Sequence, residues 1–309
     1  MNPLRSALLW ASRNERLRKS FPKYRFLRRA VSRFMPGEEI ADALEAAETL
    51  KAAGFPTVVT HLGENLSQES EADGVAAHYL EVLDLIRQRG LDCHISVKPT
   101  QLGLDLNKNL CLRHLRTLTA RAKETDNFVW IDMESTPYVD RTLDLFRSLR
   151  SDFRNIGVCL QSYLLRSAKD VDALLPVVPS VRLVKGTYAE PKHMVFRLKR
   201  DVDESFFKLG ERLLVASKPG GNIIGIGTHD EGLIRRIDLV VSHDGVKRGT
   251  YEVQMLYGIR RETQTKLASE GFKVRVLISY GSFWFPWYMR RLAERPANVW
   301  FVVKSLFVR

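Results

Sequence analysis

Two adjacent arginines, Arg290 and Arg291, lie near the end of a 309-residue chain, in the run Tyr280-Gly281-Ser282-Phe283-Trp284-Phe285-Pro286-Trp287-Tyr288-Met289-Arg290-Arg291-Leu292-Ala293-Glu294-Arg295-Pro296. Pro286 suits a first helical position and Pro296 a stop, so the spacing predicts a helix of about two and a half turns between them. At about 3.6 residues per turn, Trp287, Arg290, Arg291 and Glu294 share one face while Met289 and Ala293 point away. A planar guanidinium fork matches a carboxylate, and an adjacent pair neutralises and orients a small amino or imino acid. Glu294, three and four residues on, is placed to hold the guanidiniums in register. A solvated helix with a surface ion pair would carry the same charges. The aromatic density around the pair argues instead for a binding face.

Further groups that bind or ionise recur at the ends of short apolar runs. They are Ser96-Val97-Lys98, Ile131-Asp132-Met133-Glu134, Leu160-Gln161, Val184-Lys185-Gly186, Thr228-His229-Asp230 and Ser279-Tyr280-Gly281. Any one alone reads as a satisfied surface residue. Six in the same place relative to their strands point to a shared site, because the active site of an α/β barrel lies at the C-terminal ends of its strands.

The elements that must position these groups alternate in type. After a helix over 37–53, the spacing predicts strands at Thr57–His61, Cys93–Val97, Phe128–Met133, Ile156–Gln161, Val181–Val184, Ile223–Gly227, Tyr251–Met255 and Val274–Ser279. Helical spacing fills the intervals, as in Ala76–Arg89, Leu110–Lys123, Tyr138–Leu149 and Phe206–Ala216. Strand-helix alternation implies a parallel α/β architecture, and the first strand is not followed by a GxGxxG loop, which argues against a dinucleotide-binding doubly wound sheet. The expected fold is a (β/α)8 TIM barrel with an N-terminal helical extension and a final capping helix. Residues 1–36 would form a basic arm and residues 37–309 the barrel.

Composition narrows the class further. With 45% apolar and 27% charged residues, the chain is ordinary for a globular enzyme, and one barrel accounts for its length. Cys93, Cys111 and Cys159 are too scattered for a structural metal site or a disulfide framework, so no metal is expected and the thiols read as buried or idle. That usage, without a secretory segment, points to an intracellular compartment. The apolar runs are too short for a membrane span.

The net charge of +12 is concentrated rather than spread. Residues 1–34 hold ten Lys or Arg against Glu15, a segment charge of +9 that leaves +3 for the rest. A basic arm on a near-neutral body argues against a nucleic-acid surface. Leu17, Phe21, Tyr24, Leu27, Val31 and Phe34 recur at helical spacing within it. Three readings stay open: helices packed on the body with a solvated basic face, attachment to an anionic membrane surface, or a mitochondrial presequence.

Taken together and in order, several of these motifs resemble the proline dehydrogenase family. They are Ser96-Val97-Lys98, Ile131-Asp132-Met133-Glu134, Gln161-Ser162-Tyr163, Arg182-Leu183-Val184-Lys185-Gly186, Gly227-Thr228-His229-Asp230, Tyr251-Glu252-Val253-Gln254-Met255-Leu256 and the Arg290-Arg291 helix. The resemblance runs from about residue 37 to the C-terminus. It implies a flavin enzyme that oxidises L-proline to 1-pyrroline-5-carboxylate, with FAD taking the hydride and a quinone the electrons. Arg290, Arg291 and Lys98 would bind the substrate carboxylate, Asp132 would lie near the amine or bridge Lys98, and Tyr280, Leu256 and Trp287 would wall the pocket. Gln161, Arg182, Val184, Lys185, Gly186, Thr228, His229 and Glu294 would hold the FAD. Strict alternation puts Arg182 and Lys185 on opposite faces of their strand, and favours Arg182 as the flavin contact.

Two departures from the family pattern bear on substrate choice. Trp287 stands where many members have a tyrosine, and Thr187 where alanine is frequent. A flavin barrel acting on 4-hydroxyproline or another small imino or amino acid is therefore the alternative. A folate-type flavin reductase and a non-catalytic basic membrane adaptor fit the strand-end set less well. The expected location is cytoplasmic, peripheral on the inner face of a membrane through residues 1–34, or the mitochondrial matrix in a eukaryote.

Overall fold

The computed structural model describes residues 8, 10, 11, 14, 31–63, 66–217 and 221–294, and at 290, 291, 293 and 294 it describes the helical backbone alone. Most of the segment read as a basic arm lies outside the described residues. Strands β1 (Thr57–His61), β2 (Cys93–Val97), β3 (Val129–Ile131), β4 (Ile156–Gln161), β5 (Ser180–Val184), β6 (Ile224–Gly227), β7 (Glu252–Leu256) and β8 (Lys273–Tyr280) pair in sequence order, all parallel, and β8 closes onto β1. Helix α1 (Ile40–Ala52) precedes the barrel. Helices α2 (Glu69–Gln88), α3 (Lys108–Glu124), α4 (Val139–Arg150), α5 (Ser167–Leu174), α6 (Lys199–Val215), α7 (Glu231–His243), α8 (Arg261–Ser269) and α9 (Trp284–Glu294) follow the successive strands. The fold is a (β/α)8 barrel, as the alternation of elements implies.

Local chemistry explains the boundaries. Asn107 caps α3 by accepting from the backbone N–H groups of Asn109 and Leu110, and Asp230 caps α7 by accepting from Leu233. The third strand is shorter than expected: Phe128, Asp132 and Met133 flank β3 rather than belong to it. Helix α9 begins two residues before Pro286. A proline within the first turn costs no hydrogen bond, since those N–H groups have no partner inside the helix.

The strands divide their side chains by period two. Val59, Ile95, Val129, Ile131, Val158, Leu183, Ile226 and Val253 face the helices and are fully buried in the main apolar core. The opposite set points into the barrel. Val58, Phe128 and Trp130 pack there with Ile223 and Leu277, bringing β1, β3 and β8 together with the segment leading into β6. Deeper in, Arg275 donates to both carboxylate oxygens of Glu252 at 2.8 and 2.9 Å, to the Thr57 carbonyl at 3.0 Å and to Asp92 at 2.7 Å. Burial alone would raise the Glu252 pKa, but the Arg275 guanidinium outweighs it and draws the carboxyl down to about 2. The barrel thus holds an ionised pair at the end opposite its site.

A second apolar cluster fixes the last helix. Trp284, Phe285, Trp287, Tyr288, Met289 and Leu292 of α9 pack with Val31, Met35 and Leu62, and Trp284 Nε1 donates to Glu38 at 3.0 Å. Gly258 lets the chain pass close to this segment: at φ +73°, its missing side chain leaves room for the Arg33 carbonyl.

Candidate active site

At the C-terminal mouth, three strands deliver one charged cluster. Ser96 on β2, Asp132 just after β3 and Arg182 on β5 meet across the interior. Ser96 Oγ donates to Asp132 Oδ1 at 2.8 Å, and Arg182 Nη2 donates to Ser96 Oγ at 2.7 Å and to the same Asp132 oxygen. Lys98 Nζ lies 3.6 Å from the other Asp132 oxygen. From β7, Gln254 Oε1 accepts from Arg182 at 3.5 Å while its amide donates to Glu252 at 2.9 Å. A polar chain thus runs from the mouth to the buried ion pair at the far end.

These contacts set the protonation state. Burial pushes the Asp132 pKa up, but Arg182, Lys98 and the Ser96 hydroxyl together overcome it and leave the pKa lowered. With Asp132 ionised, Lys98 and Arg182 contribute two positive charges against one negative. The cluster carries a surplus of +1 directed at the barrel mouth, which suits an anionic ligand.

The residues expected at the site separate into groups. Lys98, Asp132 and Arg182 are brought together. Gln161 is buried and donates to the Glu134 carbonyl at 2.8 Å, so its amide is held at the top of β4. Val184 and Leu256 sit at the ends of β5 and β7, and the Leu256 N–H donates to His229 Nε2 at 3.4 Å. Thr228 is buried just after β6, and its hydroxyl accepts from the Asp230 N–H at 3.2 Å. Gly186 adopts φ +105°, and a side chain there would run into the Tyr163 ring, so the turn after β5 admits glycine alone.

Two expected site residues take partners outside the charged cluster. Tyr280 falls one residue out of phase with the inward positions of β8 and packs with the outer core; its phenol meets His78 Nε2 on α2 at 2.8 Å, and its ring lies 5.1 Å from that of His61. Ser279 holds the inward place instead. Lys185 turns the other way from Arg182, as alternation requires, and pairs with Asp203 at 2.6 Å and Asp230 at 3.1 Å between α6 and α7. Its ammonium is engaged by these helices rather than by the charged cluster. Trp287 is buried in the second apolar cluster. The side chains of Arg290, Arg291 and Glu294 lie outside the described residues, although α9 carries all three at helical spacing.

Trp130 and Gln254 are neighbours of the cluster that the strand-end reading did not single out. Each lies two residues before an expected site residue, Asp132 or Leu256. The period-two rule applied backwards from those ends finds them.

Donors and positive charge at the mouth fit a ligand that carries phosphate or other anionic groups. Arg182, Lys98, the Gln161 amide and the Thr228 hydroxyl supply donor groups, and Gly186 and Gly227 keep the adjoining backbone bare. A Cβ at Gly227 would lie 2.8 Å from the Val184 side chain.

A family model for proline dehydrogenase matches residues 43–304. Proline dehydrogenase 1 of Bacillus subtilis (strain 168) is 37% identical over 303 residues, covering 98% of this chain and 99% of the relative. The proline dehydrogenase of Deinococcus radiodurans is 36% identical over 281 residues, 89% of each chain. Among solved structures, proline utilization A from Bdellovibrio bacteriovorus superposes with a TM-score of 0.80 at 20% identity. That match covers 93% of this chain and 38% of the other, and it concerns the fold alone.

Proposed function

The chain belongs to the proline dehydrogenase family, and we propose that it oxidises L-proline to 1-pyrroline-5-carboxylate with FAD as cofactor and a quinone as final electron acceptor. The observation that carries this reading is the Lys98–Asp132–Arg182 cluster, a surplus positive charge held in fixed geometry at the mouth. When bound, FAD supplies the acceptor for the hydride leaving the ring carbon beside nitrogen.

The chain's own residues do the rest. Arg290, Arg291 and Lys98 hold the substrate carboxylate, and Asp132 fixes the Lys98 ammonium and the Arg182 guanidinium relative to one another. The nitrogen must present a free lone pair as the hydride departs, so surrounding cations favour the neutral amine over ammonium. Arg182 directs positive charge toward the bound cofactor, where negative charge develops on reduction. Gln161, Val184, Gly186, Thr228, His229 and Glu294 complete the cofactor site, with Trp287 and Leu256 beside the substrate.

Purified protein is expected to be yellow and to bleach when L-proline is added without air. A colourless protein that FAD does not reconstitute would sink this reading. A yellow protein bleached by 4-hydroxyproline but not by proline would redirect the substrate.

For residues 1–36 we propose an arm that attaches the enzyme to the inner, anionic face of a membrane, with residues 37–309 as the catalytic barrel. The segment charge of +9 over residues 1–34 supports it. Vesicle flotation at low and high salt tests it, using a truncation that stops before Val31. That limit preserves the contacts of Val31 and Met35 with α9. Binding unaffected by truncation and by salt would overturn the attachment.

A further inference from the structure

Arg182 rests on an aromatic floor. Trp130 precedes Asp132 by two residues, so both side chains enter the barrel interior and the indole lies one step deeper. The Arg182 guanidinium carbon sits 5.2 Å from the centre of the indole ring. A cation is drawn to the electron-rich face of an aromatic ring, and tryptophan offers the strongest such face. Among the described carboxylates, Arg182 pairs with Asp132, which Lys98 shares. The indole therefore meets a guanidinium whose charge is only partly compensated.

The ring itself is locked. Its Nε1 donates to His94 Nδ1 at 3.2 Å, and its ring packs against Phe128 at a tilt of 49° with centroids 4.9 Å apart. Burial holds the His94 pKa down to about 3, so the imidazole stays neutral and its Nδ1 remains an acceptor. On β4, the residue in register with Trp130 is Gly157, and a Cβ there would come within 2.6 Å of the indole. The barrel thus leaves a side chain out of one strand to admit this ring from the next.

We infer that Trp130 is the positioning residue for Arg182, its indole face holding the guanidinium at the level of Asp132 and so fixing the positive field at the mouth. The inference rests on the flavin reading above and deepens it. Without the aromatic face, Arg182 keeps Ser96 and Asp132 on one side but loses its support from below. Glu252, reached through Gln254, is the anion toward which an unsupported guanidinium is drawn. The field at the cofactor then weakens, and the reduced, more negative flavin loses stabilisation.

The test compares wild type, W130F and W130M in the flavin-loaded enzyme. Each is equilibrated anaerobically with a redox dye at one fixed poise, and the ratio of reduced to oxidised flavin is read. W130M is expected to lower that ratio about tenfold, about 30 mV for a two-electron couple. W130F keeps a ring under the guanidinium and is expected to stay within about twofold of wild type. Should W130M not fold, W130L makes the same comparison. A purely structural role would lower the melting temperature of the flavin-free protein and leave the ratio alone. Equal ratios in W130M and W130F, or a raised ratio in W130M, overturn this inference while the flavoprotein reading stands. A wild-type protein that takes up no flavin overturns both.

Discussion

Arg182 and Asp132 reach each other across the barrel interior, from β5 and from the end of β3, through an oxygen that also accepts from Ser96 at 2.8 Å. Neither the strand pairing nor sequence proximity puts them together; barrel closure does. Asp132→Asn keeps the volume and removes the charge that holds two cations at the mouth. Like-charge repulsion between Lys98 and Arg182 then goes uncompensated in a largely buried place, and losing one member of such a set costs about 3–5 kcal/mol where burial is complete. The expected result is a lower melting temperature together with a fall in kcat/KM of about 100-fold or more. Steady-state kinetics and thermal melts check it, and a variant with wild-type kcat/KM would remove Asp132 from the site.

Tyr280→Phe separates the outer face of β8 from the mouth. The phenol meets His78 at 2.8 Å on the helix side, so its loss removes one partly buried hydrogen bond, worth about 1 kcal/mol. The proline KM is expected to stay within about twofold of wild type. A large rise in KM would return Tyr280 to the pocket.

The barrel was legible because its eight strands read as short apolar runs, and period-two burial and helical spacing are written into consecutive residues. Lys98 and Asp132 were legible as strand-end residues, and Arg182 through the family motif that carries it. Their mutual contacts were not, since Arg182 and Ser96 are 86 positions apart and meet through closure of the sheet. Tyr280 sits one residue out of phase with the inward positions of β8, which the motif around it conceals and the strand geometry exposes. Trp130 was hidden for another reason: an aromatic residue inside a strand reads as ordinary core. Only the glycine in register with it on the next strand reveals the space made for its ring.

Arg291→Met probes the carboxylate site that the final helix is proposed to form. Methionine keeps an unbranched apolar stem and removes the fork, so flavin content and its visible spectrum should be unchanged. Loss of a charge-assisted contact of about 1.5–3 kcal/mol corresponds to a rise in proline KM of roughly 10- to 100-fold. Kinetics that match wild type would exclude Arg291 from substrate binding.

Glu252→Gln tests the closed end of the barrel. The carboxylate takes two hydrogen bonds from Arg275 and lies 3.1 Å from Lys273. Its amide replacement leaves Arg275 buried with Asp92, which is more than half exposed, as its remaining carboxylate partner among the described residues. Breaking a buried pair on one side costs about 3–5 kcal/mol. Urea unfolding at neutral pH should register that loss, and a change below about 1 kcal/mol would show that water already screens the pair.

His94 gives the protein a stability dependence on pH with a defined sign. Burial, with Arg275 adding to it, lowers its pKa in the folded chain from 6.5 to about 3. Between those values the unfolded chain takes up a proton that the folded chain refuses. The contribution is therefore full above about pH 6.5 and declines as the pH falls toward 3. At pH 5 the deficit is on the order of 2 kcal/mol, from about 1.4 kcal/mol per pKa unit. His61, lowered to about 4 chiefly by burial, acts in the same direction. His94→Asn keeps an oxygen able to accept from Trp130 Nε1 and removes the titrating ring. Unfolding free energies at pH 7 and pH 5 should fall less in H94N than in wild type, by about 2 kcal/mol. His61 and His78 remain in both proteins, so their titration cancels in the comparison. Equal losses in the two proteins would mean that His94 takes up its proton in the folded barrel, which is incompatible with Nδ1 acting as the acceptor for the indole.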